Sequence, residues 1–212
     1  MIIPDFSQII FFLGATLLLN ITPGADVLYI ANRSFGQNKL HGVVAALGIS
    51  SGLFVHVFLT AFGIGEIFQY SPFAFSVLKI MGAVYLAYLG LKAFLAKGFV
   101  LETPSKKLKG SLLKTYLGGI LTTLLNPKII IFFLTFLPQF VDVEKGNAIS
   151  QLFFLGGVFI LSGTIINLFY AFFFSLFKNF ILRSKKMGQY LQKSTGVLFT
   201  ALACKLLLTE SR

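Results

Sequence analysis

The chain has 212 residues, 56% of them hydrophobic and 12% charged, with a formal net charge of +11 and a mean hydropathy of +0.86. A soluble domain carries about a quarter of its residues charged, so there is too little charge here to cover a water-facing surface. What remains is an all-α membrane protein. Nearly all of the length lies in apolar runs, so 1–212 reads as a single integral-membrane domain. Two histidines and one cysteine leave no disulfide framework and no zinc-type cluster, and no metal or cofactor is expected.

Six apolar segments of spanning length follow one another: 6–33, 40–68, 73–95, 112–140, 150–177 and 187–208. The sixth is diluted by Gln189, Gln192, Lys193 and Lys205, and a five-helix reading stays open. Residues before the first segment include no basic stretch and no small-residue cleavage site follows it, so that segment is expected to stay in place. The basic residues are unevenly placed. Arg33 and Lys39 fall in the first connection, Lys97, Lys106, Lys107, Lys109 and Lys114 in the third, and Lys178, Arg183, Lys185 and Lys186 in the fifth. Asp5, Glu66, Asp142, Glu144, Lys145 and Arg212 fall on the other side. The positive-inside rule then makes the odd connections cytoplasmic and turns both termini outward. This placement explains the net charge without a nucleic-acid partner.

The first segment is interrupted at its centre by Asn20-Ile21-Thr22-Pro23-Gly24-Ala25-Asp26. Adjacent proline and glycine remove a helical hydrogen bond and loosen the backbone. An aspartate beside them costs several kcal/mol in hydrocarbon unless it meets water, a partner or a proton. The fourth segment carries a second break at Asn126-Pro127, followed by Lys128. Thr22-Pro23 and Asn126-Pro127 each read as an N-cap followed by proline at the first helical position. Two half-helix N-termini would then point into the bilayer, where their N–H groups suit a carboxylate. Asp26 and Lys128, an acid and a base near the two breaks, could meet the ammonium and carboxylate of a zwitterion, or could pair with each other as a structural bridge.

The two breaks belong to a repeat. Leu13-Gly14 leads to Asn20 and Pro23, as Leu117-Gly118 leads to Asn126-Pro127. Ser51-Gly52 precedes His56 by the same spacing with which Ser162-Gly163 precedes Asn167, and Lys79–Gly82 matches Lys193–Gly196. Repeat one covers about 1–98 and repeat two about 110–212. Three crossings per repeat invert the second copy relative to the first. The expected fold is therefore six transmembrane helices in two inverted three-helix repeats, with the first and fourth helices broken at proline, an architecture of secondary transporters. His56 reads either as a proton relay or as a cavity-lining side chain. Its counterpart Asn167 cannot titrate, which favours the second.

Thr22-Pro23-Gly24-Ala25-Asp26-Val27-Leu28, Ala45-Ala46-Leu47-Gly48-Ile49, Asn126-Pro127-Lys128 and Phe136-Leu137-Pro138-Gln139-Phe140 together resemble the LysE/RhtB family of small bacterial inner-membrane exporters. The likeness covers essentially the whole chain. One departure is Ala25, where the family pattern has a second proline. The resemblance implies proton-driven efflux of an amino acid or derivative. The residues themselves make Asp26, Lys128, Asn126, Thr22, Asn20, His56 and Asn167 the substrate or proton-binding candidates, with Pro23, Gly24 and Pro127 as the breaks. Implied partners are an amino-acid substrate, protons and membrane lipid, with a homo-oligomer left open. The alternatives are weaker. A small-ion or metal efflux carrier would need more ligands than this chain has. An intramembrane enzyme would need a nucleophile–base or acid–acid pairing that does not recur here.

Overall fold

The computed structural model describes residues 6–63, 72–95, 110–142 and 147–177, together with positions 193, 196, 197, 200, 201 and 204. Most of the sixth segment, 187–208, lies outside the described residues, as do the lysines of the third and fifth connections other than Lys114. Asp5, Glu66, Glu144, Lys145 and Arg212 lie outside them too.

Every regular element among the described residues is helical. In chain order these are α1 (Phe6–Ile21), α2 (Ala25–Gly36), α3 (Lys39–Gly63), α4 (Pro72–Leu95), α5 (Leu112–Leu124), α6 (Pro127–Ile131) and α7 (Ala148–Leu176). A π turn at Phe132–Phe136 and a 3-10 turn at Leu137–Phe140 continue α6. Helices α3 and α7, of 25 and 29 residues, are each long and apolar enough to cross a bilayer. Residues 9–36 and 112–140 add one candidate span each if every bent pair counts as one, for two to four among the described residues. The chain is a multi-pass membrane protein.

Both bends fall at the prolines. α1 and α2 turn by 46° across Thr22–Gly24, and the fourth segment turns by 49° across Leu125-Asn126. Pro138 explains the irregular end of that segment. Its ring would clash with the carbonyl of Leu134, and it has no N–H to give. The helix therefore widens into the π turn before the proline and tightens after it.

Small residues set the closest crossing, that of α3 on α5. A Cβ added at Gly48 would run into the backbone oxygen of Tyr116, and one at Gly119 would lie 2.7 Å from the carbonyl oxygen of Ala45. The two backbones touch directly, which is how membrane helices gain dispersion contact without a hydrophobic driving force.

Two apolar clusters flank this crossing. One joins Phe12 and Leu19 of α1, Leu53 and Val57 of α3, Phe132 and Phe136 of the π turn, and Leu155 and Phe159 of α7. The Phe132 and Phe159 rings lie 4.7 Å apart at its centre. The other joins Val27, Ile30 and Phe35 of α2, Ala45 and Ile49 of α3, and Ala171 and Phe174 of α7. Between the clusters each helix carries polar or small residues: Asn20 to Asp26 on α1–α2, Ser50 on α3, and Ser162 to Asn167 on α7. Ser50 and Ser162 stand close to the midpoints of their helices. A polar layer thus lies halfway along two spanning helices, and both helix breaks open into it.

Candidate functional site at the two helix breaks

The first break departs from the expected cap. Gly24, in extended backbone (φ −147°, ψ −162°), is the N-cap of α2, and no side chain caps it. The Thr22 amide still reaches the carbonyls of Leu18 and Leu19 at 3.1 and 3.2 Å, and its hydroxyl donates to Leu18 O at 2.7 Å. Thr22 therefore closes α1 and does not begin α2. Pro23 stands in the gap between them, where its missing N–H ends the α1 ladder. The second break follows the cap pattern: Asn126 is the N-cap, its Oδ1 accepts from the Lys128 amide at 3.1 Å, and Pro127 opens α6.

Asp26 sits in the first turn of α2 with 6% of its surface exposed. Its place there is favoured by the dipole of the helix it starts. Thr123 of α5 donates its hydroxyl to Asp26 Oδ1 at 3.0 Å, and Asn126 donates Nδ2 to Oδ2 at 3.0 Å. One carboxylate therefore ties α2 to the far break. Lys128 makes the reciprocal link. Its ammonium, on a residue 7% exposed, donates to Leu19 O at 3.2 Å and Thr22 O at 3.0 Å. Thr22 O is left free by the end of α1, and Leu19 O, whose partner four residues on would be the Pro23 nitrogen, otherwise receives only the Thr22 amide.

The acid and the base are thus neighbours but not a direct ion pair. Asn126 stands between them, donating to Asp26 through one end of its amide and capping the Lys128 backbone through the other. Gly24 leaves the room for the lysine stem: a Cβ there would lie 3.3 Å from Nζ and 3.4 Å from Cε.

His56 joins through its backbone contact. Its Nε2 lies 3.0 Å from the Thr123 carbonyl, and its ring stacks on Phe133 with centroids 5.5 Å apart. Asn20 reaches α7, donating Nδ2 to Ser162 Oγ at 3.4 Å. Gly163 admits it, since a Cβ there would be 3.1 Å from Asn20 Oδ1. Asn167, one turn further along α7, is buried, and no described residue hydrogen-bonds to it. Among the described residues, Asp26, Asn126, Lys128, Thr22 and His56 form one connected group. Asn20 and Asn167 line α7's side of the same layer.

Thr123 was not singled out in the sequence, yet it touches Asp26 with its hydroxyl and His56 with its carbonyl. Its signal was the Thr122-Thr123 pair inside an apolar run just before a break. Ser50 and Thr164, 2.7 Å apart between α3 and α7, were missed likewise. Among the described residues no three of His, Cys, Asp and Glu come together as a metal cage.

Apolar helices, two of them broken where a buried acid and a buried base are neighbours, make a polar site inside a membrane protein. This chain belongs to the LysE type translocator family, which matches residues 17–210. It is similar to the homoserine/homoserine lactone efflux protein of Salmonella typhimurium, with 30% identity over 190 residues, 89% of this chain and 90% of that one. Membrane protein YrhP of Bacillus subtilis is 27% identical over 196 residues, 89% of this chain and 92% of that one. A membrane protein of Synechocystis is 28% identical over 211 residues, 99% of this chain and 100% of that one. No solved structure matches the chain significantly.

Proposed function

We propose that this protein is a secondary active exporter of an amino acid or amino-acid derivative across the bacterial inner membrane. The substrate is held between the two broken helices and its exit is coupled to protons. The observation that carries this reading is the cross-tie of the breaks: Asp26 of the first bonds Asn126 of the second, and Lys128 of the second bonds Leu19 and Thr22 of the first. A group that displaces these bonds changes the angle between half-helices that already bend by 46° and 49°. A buried site is thereby linked to rigid-body motion, as alternating access requires.

In this scheme Asp26 receives the substrate ammonium or the coupling proton, in exchange for the donors of Thr123 and Asn126. The substrate carboxylate meets the third donor of Lys128 and the uncapped N–H groups that open α2. Asn20, Asn167 and His56 line the rest of the layer, with Thr22 giving its carbonyl to Lys128 and Pro23, Gly24 and Pro127 keeping both breaks open. The six-helix inverted repeat of the whole domain supplies the symmetry. It is supported by the matched breaks, which bend the two segments by similar angles, 46° and 49°. Basic connections are cytoplasmic by the positive-inside rule. The Salmonella relatives, homoserine/homoserine lactone efflux proteins, make homoserine and its lactone the first substrates to try.

The test is efflux from cells loaded with homoserine and a panel of other amino acids, with and without an uncoupler. Expression of the wild type should speed the loss of at least one compound, and the uncoupler should stop it. Asp26→Asn keeps the shape of the side chain but removes its charge and turns one of its two acceptor oxygens into a donor. Efflux should drop at least about tenfold, the equivalent of about 1.4 kcal/mol. Undiminished efflux by Asp26→Asn overturns the role of Asp26, and insensitivity to the uncoupler overturns proton coupling.

A further inference from the structure

The ammonium of Lys128 occupies an unusual place for a buried lysine. It does not lie against a carboxylate. Its bonds are to two backbone carbonyls, Leu19 O at 3.2 Å and Thr22 O at 3.0 Å, where α1 stops. The negative end of the α1 dipole points at this spot. Asp26 lies one residue away through the shared Asn126 amide. Carbonyls at a broken helix end, with a carboxylate nearby, are the oxygen-rich surroundings that hold a hard monovalent cation. Gly24 leaves the room for the ammonium, since a methyl there would meet Nζ at 3.3 Å.

We propose that the Lys128 ammonium is a tethered cation filling a monovalent-cation site made by the Leu19 and Thr22 carbonyls. The protein therefore holds the end of α1 and balances Asp26 without a diffusible Na+ ion. The charge arithmetic supports this. Removing the lysine charge leaves the buried Asp26 carboxylate without its counter-charge, the Thr22 carbonyl without a donor and the Leu19 carbonyl with the Thr22 amide alone. A small cation entering from water restores both at once. This goes beyond the substrate reading and does not depend on which compound is exported.

The site itself distinguishes two variants. Lys128→Ala removes the charge and opens room for an ion, whereas Lys128→Met removes the charge but fills the same room with a thioether. The purified proteins are melted at equal ionic strength in NaCl, KCl and choline chloride. For Lys128→Ala the melting temperature should rise by about 4 °C from choline to about 100 mM NaCl, the shift of a site filled some tenfold above its dissociation constant. Lys128→Met and the wild type should not distinguish the salts. A Lys128→Ala protein indifferent to Na+ overturns the proposal, and so does a wild type that Na+ stabilises specifically. The wild-type series reads out even if Lys128→Ala fails to fold. Added homoserine in the same melts tests substrate binding separately, so failure of the cation site and failure of the exporter reading give different results.

Discussion

Asn126 is the side chain on which the two breaks depend most directly, and its removal has a calculable cost. Asn126→Ala deletes the acceptor that caps α6 at 3.1 Å and the donor to Asp26 at 3.0 Å. Loss of an N-cap costs about 1 kcal/mol, and loss of a hydrogen bond to a charged group about 1.5–3 kcal/mol. The sum is about 2.5–4 kcal/mol, which for a chain of this size lowers the melting temperature by about 5–16 °C. Thermal melting of the purified variant measures it, with efflux from loaded cells as the functional reading. Asn126→Asp separates the two losses. It keeps the capping oxygen but sets a second carboxylate where the Asp26 donor stood. Two such carboxylates share one proton. The sign follows: the variant should regain stability and efflux as pH falls and the shared proton binds, and lose both as pH rises. An Asn126→Ala protein that melts within about 1 °C of the wild type and exports at the wild-type rate would refute this account of the site.

Two further substitutions probe the packing around it. Thr16 is fully buried on α1 and its hydroxyl has no hydrogen-bond partner among the described residues. Thr16→Val should therefore raise the melting temperature by about 2–4 °C, the equivalent of about 1 kcal/mol of relieved desolvation; a fall in melting temperature would show an unrecognised partner. Gly119→Ala places a methyl 2.7 Å from the Ala45 carbonyl oxygen and 3.0 Å from the Ile49 amide, and neither backbone can yield without separating α3 from α5. It should destabilise by about 1–3 kcal/mol and reduce efflux by drawing His56 off the Thr123 carbonyl. Gly157→Ala meets nothing within 4 Å and should leave melting and efflux unchanged or slightly improved.

Composition alone determined that this chain lives in a membrane, because 12% charged residues cannot cover a water-facing surface. Proline determined where two helices break, because a missing N–H and a clashing ring act on the residues next to them whatever the rest of the fold does. The Asn126 cap was legible for the same reason, being a bond between residues two apart. At the other break, short-range logic misled. Thr22 had the right chemistry for a cap, but its hydroxyl and amide turned back to α1, and an extended Gly24 took the cap position instead. Pattern reading set Asp26 and Lys128 in the same neighbourhood but could not say what each would bind. Only the tertiary structure decided that Asp26 takes its donors from Thr123 and Asn126, and that Lys128 reaches back to carbonyls of the first break. Those bonds join residues about a hundred positions apart, from α1 and α2 on one side to α5 and α6 on the other. No local preference carries that information, because backbone contact between distant helices is set by the whole bundle packing at once.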